Sequence, residues 1–588
     1  MILRSLLIAL ALLIAPRAAC GDDASASSFA KLEQACDSGA PHISITAPQI
    51  DFPRQIEVRE KTVLSISPPF DNTPPMLSGG HVTRLFFLNT SSELSLRGVS
   101  LLHAHCGAVC SGGAIFLSLG SKLKLDSVKV SANLAGLGGA IFAVRGASVV
   151  ATDCSLTGNT AALFGGAIFM RDDSTLTVTR CTLSSNVAGA SGGAIFATDE
   201  SVATATDCTM TSNSAVWGGG AVATAEESTM NLVGCTLVSN KAHAWGGALA
   251  ASDHSVVNAM KCAMTSNAAA AAGGAIFAGH LSNVTTTDST MTSNSALLGG
   301  AAIAEGGSTI TAIGCAMTSN SASQIGGAVN VGQGSAVVVT HCTIISNSAA
   351  EGGAISVSEN STITATDCTM SSNFAQRSGG VFHAYDESTV TATRCTISLN
   401  AAFFSGGAIC AKDHSIVHAE DCNLTSNEAS LGGAIDLSDI SSFIAADCTM
   451  TRNHAKDSGG VVGVHQHSSF IARDCTMTAN SAHTGGVVSV DGVLSTFITL
   501  TGPRITVTRC VFLANVGMLG GGCFYMTDHS LLDMTHSTMS TSFSSKGGAI
   551  CLADESTVRM TACTMHSNHA LTGGGGSICG RELFCHCN

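Results

Sequence analysis

A cysteine recurs at one position of a repeated sequence phrase, and a regular column of thiols can do chemistry. The step between cysteines is 27 residues, with occasional steps of 26. Stacked neighbours about 4.8 Å apart fall within the Cα range of a disulfide, and thiolates also bind soft metals. We favour a third interpretation, a small core hydrophobe, because Ser289 and Ser537 fill the same position in two repeats. The column includes Cys154, Cys181, Cys208, Cys235, Cys262, Cys315 and Cys342.

An asparagine stands five residues after each of these cysteines, and its amide can both donate and accept a hydrogen bond. Asparagine also tolerates the left-handed backbone angles of a tight corner. Stacked on successive repeats, these amides are predicted to form a hydrogen-bonded ladder. The column includes Asn159, Asn186, Asn213, Asn240 and Asn267.

Acidic residues and histidines occupy a third repeated position, as in Asp253-His254 and Asp413-His414. Carboxylates about 5 to 10 Å apart on neighbouring turns would suit calcium binding or glycoside hydrolysis. A stacked repeat produces that spacing at any position, so the spacing alone identifies no site. No single repeat combines an acid, a base and an arginine, and we expect no catalytic, cofactor or metal site. The insertion near Val493 and the first turns are the two places left for an active site.

Threonines two residues apart precede many of the cysteines, as in Thr177 and Thr179 or Thr391 and Thr393. A flat, ranked array of hydroxyls can match an ice lattice, although threonine also suits any exposed strand face. Residues such as Asn231 interrupt the ranks, so ice binding is kept only as an alternative.

Covalent modification is predicted at two sets of residues. The spacing of the last cysteines matches no common zinc module, and an exported chain is oxidised, so we expect disulfides among them. Asn-X-Ser/Thr sequences would be glycosylated in a eukaryotic host. The cysteines are Cys579, Cys585 and Cys587, and the asparagines are Asn89, Asn283, Asn360 and Asn423.

The repeat that carries these columns predicts the fold. Apolar residues alternate with threonine before each cysteine, which is the pattern of a strand with one buried face. An apolar residue two positions after the cysteine and the Ala-Ile-Phe segment after each Gly-Gly pair predict two further strands. Three strands and three corners per turn predict an all-β, right-handed parallel β-helix of about 17 to 20 turns, each of 26–27 residues.

The two ends of the chain differ from the repeats. A charged start, a short apolar core and small residues before a cleavage site identify a secretory signal, and the core is too short for a membrane span. We therefore expect a secreted or cell-surface protein without a transmembrane span in the mature chain. The expected divisions are a signal peptide at 1–20, a linker with a capping helix at 21–42, the β-helix at 43–575 (irregular at 43–110, regular at 111–575) and a cysteine-rich tail at 576–588.

Composition excludes two classes of protein. Charged residues make up 12% of the chain and the mean hydropathy is +0.34, which is too apolar for intrinsic disorder. The net charge of −14 is unlike that of a nucleic-acid-binding surface, which needs clustered lysine and arginine. We expect glycans or cell-surface proteins as partners, and no nucleic acid.

The Gly-Gly-Ala-Ile segment, paired with a large apolar residue three positions before asparagine, resembles the repeats of the chlamydial polymorphic outer membrane proteins. Their tetrapeptides are GGAI and FxxN. Here the second is usually of the kind seen from Met210 to Asn213, and the segment from Phe512 to Asn515 keeps the phenylalanine. The resemblance covers about residues 110–575. It implies a pectin-lyase-like β-helix that acts as a surface adhesin.

These observations predict a non-enzymatic, exported protein that contacts glycans or cell-surface proteins through a rigid, repetitive face. Repetition displays the same side chains many times, which suits weak multivalent binding. A polysaccharide lyase or glycoside hydrolase on the same fold is the first alternative. An ice-binding protein is the second.

Overall fold

The computed structural model describes residues 23–68, 73–107, 109–490, 502–572 and 576–580. The signal peptide, most of the insertion near Val493, and Cys585 and Cys587 lie outside the described residues. The described chain divides into two compact units. The first comprises residues up to 189 with 194–204, and the second comprises 190–193 with residues from 205 onward.

Within each unit, parallel strands pair in register with the equivalent strands of the next turn. We define four sheets by their place in the repeat. Sheet 1 holds the strands before the cysteine, sheet 2 those after the cysteine, sheet 3 those after the asparagine and sheet 4 those after the Gly-Gly pair. The described residues form about 19 turns, which confirms the predicted all-β parallel solenoid.

The first unit has its strands in all four sheets. Sheet 1 contains Ala24–Ala26, His42–Ile45, Val63–Ser67, Glu93–Arg97, Lys122–Asp126, Ser148–Thr152, Thr175–Thr179 and Val202–Thr206. Sheet 2 contains Gln49–Asp51, Met76–Ser78, Ser100–Leu102, Lys129–Ser131, Ser155–Thr157 and Thr182–Ser184. Sheet 3 contains Leu134–Leu137, Thr160–Phe164 and Val187–Ala188. Sheet 4 contains Ile56–Val58, Phe86–Leu88, Ile115–Leu117, Ile141–Ala143, Ile168–Met170 and Ile195–Ala197.

In the second unit, sheets 1 and 2 have longer runs of regular strands. Sheet 1 contains Thr229–Val233, Val256–Met260, Asn283–Thr287, Thr309–Ile313, Ala336–Thr340, Thr362–Thr366, Thr389–Thr393, Ile416–Glu420, Ser442–Ala446, Ser469–Arg473, Arg504–Thr508, Leu531–Thr535 and Thr557–Thr561. Sheet 2 contains Thr209–Thr211, Thr236–Val238, Ala263–Thr265, Thr290–Thr292, Ala316–Thr318, Thr343–Ile345, Thr369–Ser371, Thr396–Ser398, Asn423–Thr425, Thr449–Thr451, Thr476–Thr478, Val511–Leu513, Thr538–Ser540 and Thr564–His566.

Sheets 3 and 4 of the second unit lie on either side of the Gly-Gly pairs. Sheet 3 contains Ser214–Ala215, Lys241–Ala242, Ala268–Ala269, Ser295–Leu298, Ser321–Ile325, Ser348–Glu351, Phe374–Ser378, Ala401–Ala402, Glu428–Leu431, His454–Ser458, Ser481–Thr484, Val516–Gly520, Phe543–Ser544 and His569–Ala570. Sheet 4 contains Val222–Thr224, Leu249–Ala251, Ile276–Ala278, Ala302–Ala304, Val329–Val331, Ile355–Val357, Phe382–Ala384, Ile409–Ala411, Ile435–Leu437, Val462–Val464, Val488–Val490, Phe524–Met526, Ile550–Leu552 and Ile578–Cys579.

The regular turns have four strands, whereas the sequence pattern predicts three. The additional strand follows the asparagine, as where Val187–Ala188 pairs with Thr160 and Ala161 of the preceding turn. Its shortest examples have a single inward residue, such as Ala188, which is buried. Because one inward residue produces no alternation, the pattern could not distinguish this strand from a loop.

One short helix, Phe29–Ser38, lies near the N-terminus, as expected for a cap. Leu32, Ala35 and Cys36 are its buried residues, and the Phe29 ring packs edge-on against Phe52 with centroids 5.3 Å apart. The helix ends at Gly39, whose φ of 71° makes a left-handed cap. Across the described ranges, no helix is long and apolar enough to cross a bilayer.

Side chains at two corners of the second unit accept hydrogen bonds from backbone N–H groups of the preceding turn. Asn320 N–H donates to Asn347 Oδ1 at 2.9 Å, and the Asn320 amide donates to the same oxygen at 3.0 Å. Ser282 N–H donates to Ser308 Oγ at 3.1 Å. Buried N–H groups are costly when they have no partner, so these columns stabilise the corners.

Candidate functional site

The repeated cysteines from Cys154 to Cys510 lie on the inner side of their corner and are buried, and Cys563 is half-buried. Cys315 Sγ donates to the carbonyl oxygen of Ile313 at 3.4 Å, and Cys342 Sγ donates to that of Ala312 at 3.3 Å. Among the described cysteines, the pair Cys106 and Cys110 is disulfide-bonded, with Cα atoms 5.8 Å apart, and the others are free thiols. The geometry of the column is therefore that of core thiols.

The acidic and histidine residues of the third column lie at exposed corners with left-handed backbone. Asp413 and His414 have φ angles of 52° and 63°. Together with Asn360, Asp386 and Glu387 they line one shallow, open depression. In the part of the chain that the structure describes, no group of three or more His, Cys, Asp or Glu side chains is placed to hold a metal ion.

The asparagines of the glycosylation sequences differ in exposure. Asn283, Asn360 and Asn423 are exposed, whereas Asn89 is half-buried. Asn283, Asn360 and Asn423 are therefore the three that are accessible for glycosylation.

A run of polar residues on sheet 4 of the second unit was not predicted. Side chains alternate along a strand. In Ile409–Ala411 the first and last residues therefore face the core, and the middle residue, Cys410, faces outward. In earlier turns this outward position holds Ala223, Ala250, Phe277 and Ile303. Over seven successive turns it is polar or glycine, and we call this run the polar lane: Asn330, Ser356, His383, Cys410, Asp436, Gly463 and Ser489.

The polar lane is buried although it faces away from the core, because residues at the ends of the sheet 3 strands cover it. Thr484 Oγ1 lies 3.3 Å from Ser489 Oγ, and Glu351 Oε2 lies 3.8 Å from His383 Nδ1. The covering residues form a second column, which we call the flanking column: Glu351, Ser378, Ser405, Leu431, Ser458 and Thr484.

Asp436 of the lane forms a buried pair with His465, which directly follows the sheet 4 strand Val462–Val464. His465 Nε2 lies 3.0 Å from Asp436 Oδ1, and both residues are less than one tenth exposed. Gly463 makes room for the pair, since a Cβ there would lie 2.6 Å from Asp436 Oδ1 and 3.2 Å from His465 Nε2. A carboxylate that orients an imidazole is an arrangement used in general acid–base chemistry.

His383 is buried without a hydrogen bond to its Nδ1. Burial lowers the pKa of its imidazole to about 4, against the opposing effect of Glu351, so the ring is neutral near pH 7. Burial likewise raises the pKa of the neighbouring Cys410 to about 12, which keeps it a thiol. Asn330 Oδ1 and Ser356 Oγ on the two preceding turns also have no hydrogen-bond partner, which makes this stretch unusually rich in unsatisfied polar atoms.

Larger polar side chains form the accessible rim of the lane. Tyr385 and Lys412 are half-buried, and the Tyr385 ring lies 5.1 Å from that of His383. Burial raises the pKa of the Tyr385 phenol. Because the rim is only partly covered, a ligand on sheet 4 would meet these two residues before the lane itself.

The lane adds contacts that the sequence analysis did not consider. No single repeat was expected to combine an acid, a base and an arginine, and the structure brings an acid and a base together from neighbouring repeats, as with Glu351 and His383 or Asp436 and His465. The signal available in the sequence was the change from Phe or Ala to polar residues after Gly-Gly. The insertion near Val493, which the sequence left as a place for an active site, lies mostly outside the described residues.

Comparison with known proteins gives a family and two distant structures. A family model described as right handed beta helix region matches residues 85–259, 243–382 and 379–577. The structure of a PL6 family alginate lyase, AlyGC, is 7% identical, with 96% of this chain and 100% of that chain covered at a TM-score of 0.25. A variant of that lyase is 8% identical with the same coverage and TM-score. At this TM-score neither likeness bears on activity. Curated proteins give no match.

Proposed function

The chain belongs to the right-handed β-helix family, and on that premise we propose that it is an exported protein that binds glycans or cell-surface proteins without turning them over. The proposal is supported by the repetition of the same outward side chains on successive turns. The resemblance of the repeats to surface adhesins agrees with it.

The observation that carries the proposal is the ranked hydroxyl face of sheet 1 in the second unit. Thr362, Thr364 and Thr366 pair in register with the threonines of the next strand, Thr389–Thr393. These side chains point outward, and the strands are held by hydrogen bonds to both neighbouring turns. Fixed rows of hydroxyls can make many weak contacts at little cost in conformational entropy.

A binding and turnover assay tests the proposal. The secreted chain is offered neutral and acidic polysaccharides and cultured cells, and both retention and released product are measured. We expect saturable retention without product. The double variant Thr364→Val and Thr391→Val should weaken retention, because valine keeps the strand but removes two hydroxyls. The matched control is Thr369→Val with Thr396→Val, an in-register pair on sheet 2. Thermal hysteresis without retention would instead favour the ice-binding alternative.

Polysaccharide cleavage is the second candidate, and the polar lane is the observation that favours it. The buried pair of Asp436 and His465 lies one turn from Lys412 and its neighbour Cys410. Steady product release that is abolished by Asp436→Asn, but not by Asp413→Asn at an exposed corner, would establish this candidate and reject the non-catalytic one.

A further inference from the structure

Two cysteines outside the repeated column lie side by side on sheet 4 of the second unit. Cys551 is the middle residue of the strand Ile550–Leu552, and it pairs in register with Cys579 of the strand Ile578–Cys579. The residues on either side of Cys551 face the core, so both cysteine side chains face outward. Neighbouring strands of a sheet lie about 4.8 Å apart, which is within the Cα range of a disulfide.

This pair is more accessible than the thiols of the column. The column thiols from Cys154 to Cys510 are at most 3% exposed. Cys551 is 7% exposed and Cys579 is half-buried, so an oxidant in solvent can reach the pair through Cys579. Burial, and then the adjacent Cys579 thiol, raises the pKa of Cys551 to about 12. The effect of one thiol on the other agrees with their pairing in register.

The strand that carries Cys579 is short and has one described neighbour. It contains two residues and is the last strand that the structure describes. Ala549 N–H and Ile550 N–H of the preceding turn both donate to the Ser577 carbonyl at 2.9 Å, next to this strand. A turn that is stacked on one side only opens more readily than an inner turn. A covalent bond to the preceding turn would therefore stabilise this part of sheet 4.

We propose that Cys551 and Cys579 form a second disulfide, which links the last described strand of sheet 4 to the turn before it. The bond gives Cys579 a partner on the neighbouring turn instead of in the cysteine-rich tail. It leaves the column cysteines as core thiols, because those side chains are not accessible to an oxidant.

The oxidant is a small-molecule disulfide, such as glutathione disulfide. The Cys579 thiolate attacks one of its sulfurs, which forms a mixed disulfide and releases one glutathione. The Cys551 thiolate, favoured by the charge of Lys546, then attacks the Cys579 sulfur and releases the second glutathione. The protein loses two protons and two electrons, and the two glutathione thiols carry them. The proposed export matters only for meeting such an oxidant, so the bond can be tested in vitro independently of export.

Peptide mapping of the full chain tests for the bond. The folded protein is equilibrated with glutathione disulfide, alkylated under denaturing conditions and digested without reduction. Cleavage after Arg559 and Leu571 separates three cysteines onto three peptides. We expect the Cys551 and Cys579 peptides to be linked. Cys563, a half-buried thiol of the column, is the control and should be alkylated.

Two results of the mapping would overturn the proposal. A bond from Cys579 to any other cysteine, such as Cys585 or Cys587, would place the link in the tail. Alkylation of both Cys551 and Cys579 after equilibration would show that the pair does not oxidise.

Hydrogen exchange tests whether the bond stabilises the strand. Reduction of the oxidised protein should accelerate exchange of the Ala549 and Ile550 amides by at least about tenfold. The internal reference is Val329, whose N–H donates to the Ala354 carbonyl at 2.9 Å at the equivalent position of an inner turn, and its exchange should not change. Equal exchange before and after reduction at all three amides would overturn the stabilising role.

A variant separates the bond from the side chain itself. Cys579→Ser should show the fast exchange of Ala549 and Ile550 without reductant, and reduction should change it no further. The matched control is Cys563→Ser, because Ser537 fills the same position one turn earlier, and this variant should respond to reductant as the parent does. A response to reductant that persists in Cys579→Ser would assign the effect to another bond and reject the proposal.

Discussion

The backbone N–H of Cys262 donates a hydrogen bond to Ser289 Oγ, 3.0 Å away on the next turn. Cys510 N–H makes the same bond with Ser537 Oγ, also at 3.0 Å. Where the next residue is cysteine, the sulfur is the acceptor, as for Cys342 N–H and Cys368 Sγ at 3.4 Å. This position of the repeat thus requires a small side chain that accepts a hydrogen bond from the backbone N–H at the corner of the preceding turn. Either serine or cysteine meets that requirement.

Substitution of Cys368 tests this role. Cys368→Ala removes the acceptor of the Cys342 N–H and leaves a small cavity, and we expect a loss of about 1–3 kcal/mol in unfolding free energy. Cys368→Ser keeps an acceptor and should cost less. Thermal and denaturant unfolding of both variants measure the difference. If serine is as damaging as alanine, the column is selected for volume alone.

The redox state of the column gives a second prediction. Because the thiols lie in the core and bond to backbone groups, we expect the column from Cys154 to Cys563 to be reduced in the native protein. Alkylation of denatured, unreduced protein followed by peptide mass spectrometry should label these residues. Cys106 and Cys110 should resist until a reductant is added. Resistance throughout the column would instead identify a disulfide ladder.

Removal of one amide tests the asparagine ladder. Asn347→Ala leaves the Asn320 N–H and amide without their acceptor at 2.9 and 3.0 Å and should lower the unfolding free energy by about 2–4 kcal/mol, the cost of two unsatisfied buried donors. The control is Asn258→Ala, since Asn258 Nδ2 donates to Asn231 Oδ1 at 2.9 Å on an exposed face, where the loss should stay near 0.5 kcal/mol. Equal losses in the two variants would contradict the ladder's role.

The asparagine and cysteine columns are visible in the sequence and the polar lane is not, for a physical reason. A ladder repeats one residue type, so its period is visible in the letters. In the lane, the residue type differs from one turn to the next, so no period is visible. Its contacts also join residues far apart in sequence, such as Asp436 and His465, which are 29 residues apart. Glu351 is the last residue of the sheet 3 strand Ser348–Glu351, and from there its side chain faces His383 of sheet 4. The strands of sheet 3 are too short to show alternation, so the sequence did not indicate this contact.

Burial of neutral His383 predicts a pH dependence of stability. Its folded pKa, about 4, lies below the unfolded value of 6.5, so the unfolded state binds the proton first as pH falls. Stability should be unaffected above pH 6.5 and should decline between pH 6.5 and about 4, by up to about 3 kcal/mol. The facing groups are Glu351 and Lys412.

Comparison with His383→Phe isolates this contribution, because phenylalanine occupies the same outward position at Phe277. Unfolding curves between pH 4 and 8 should show a shallower decline for the variant. His418→Gln, at an exposed histidine of sheet 1, should follow the parent curve. Parallel curves for parent and His383→Phe would mean that the imidazole is not held neutral.

Gly463 is predicted to be required by the buried pair beside it. An alanine Cβ would lie 2.6 Å from Asp436 Oδ1 and 3.2 Å from His465 Nε2, and overpacking of this kind costs about 1–3 kcal/mol. Gly332→Ala is the control, because the Cβ there would meet only Ser358 Oγ at 3.3 Å. In the double variant Gly463→Ala with Asp436→Ala, the carboxylate is gone, so the combined loss measured by thermal unfolding should be smaller than the sum of the single losses. Additive losses would show that the glycine serves the strand backbone and not the pair.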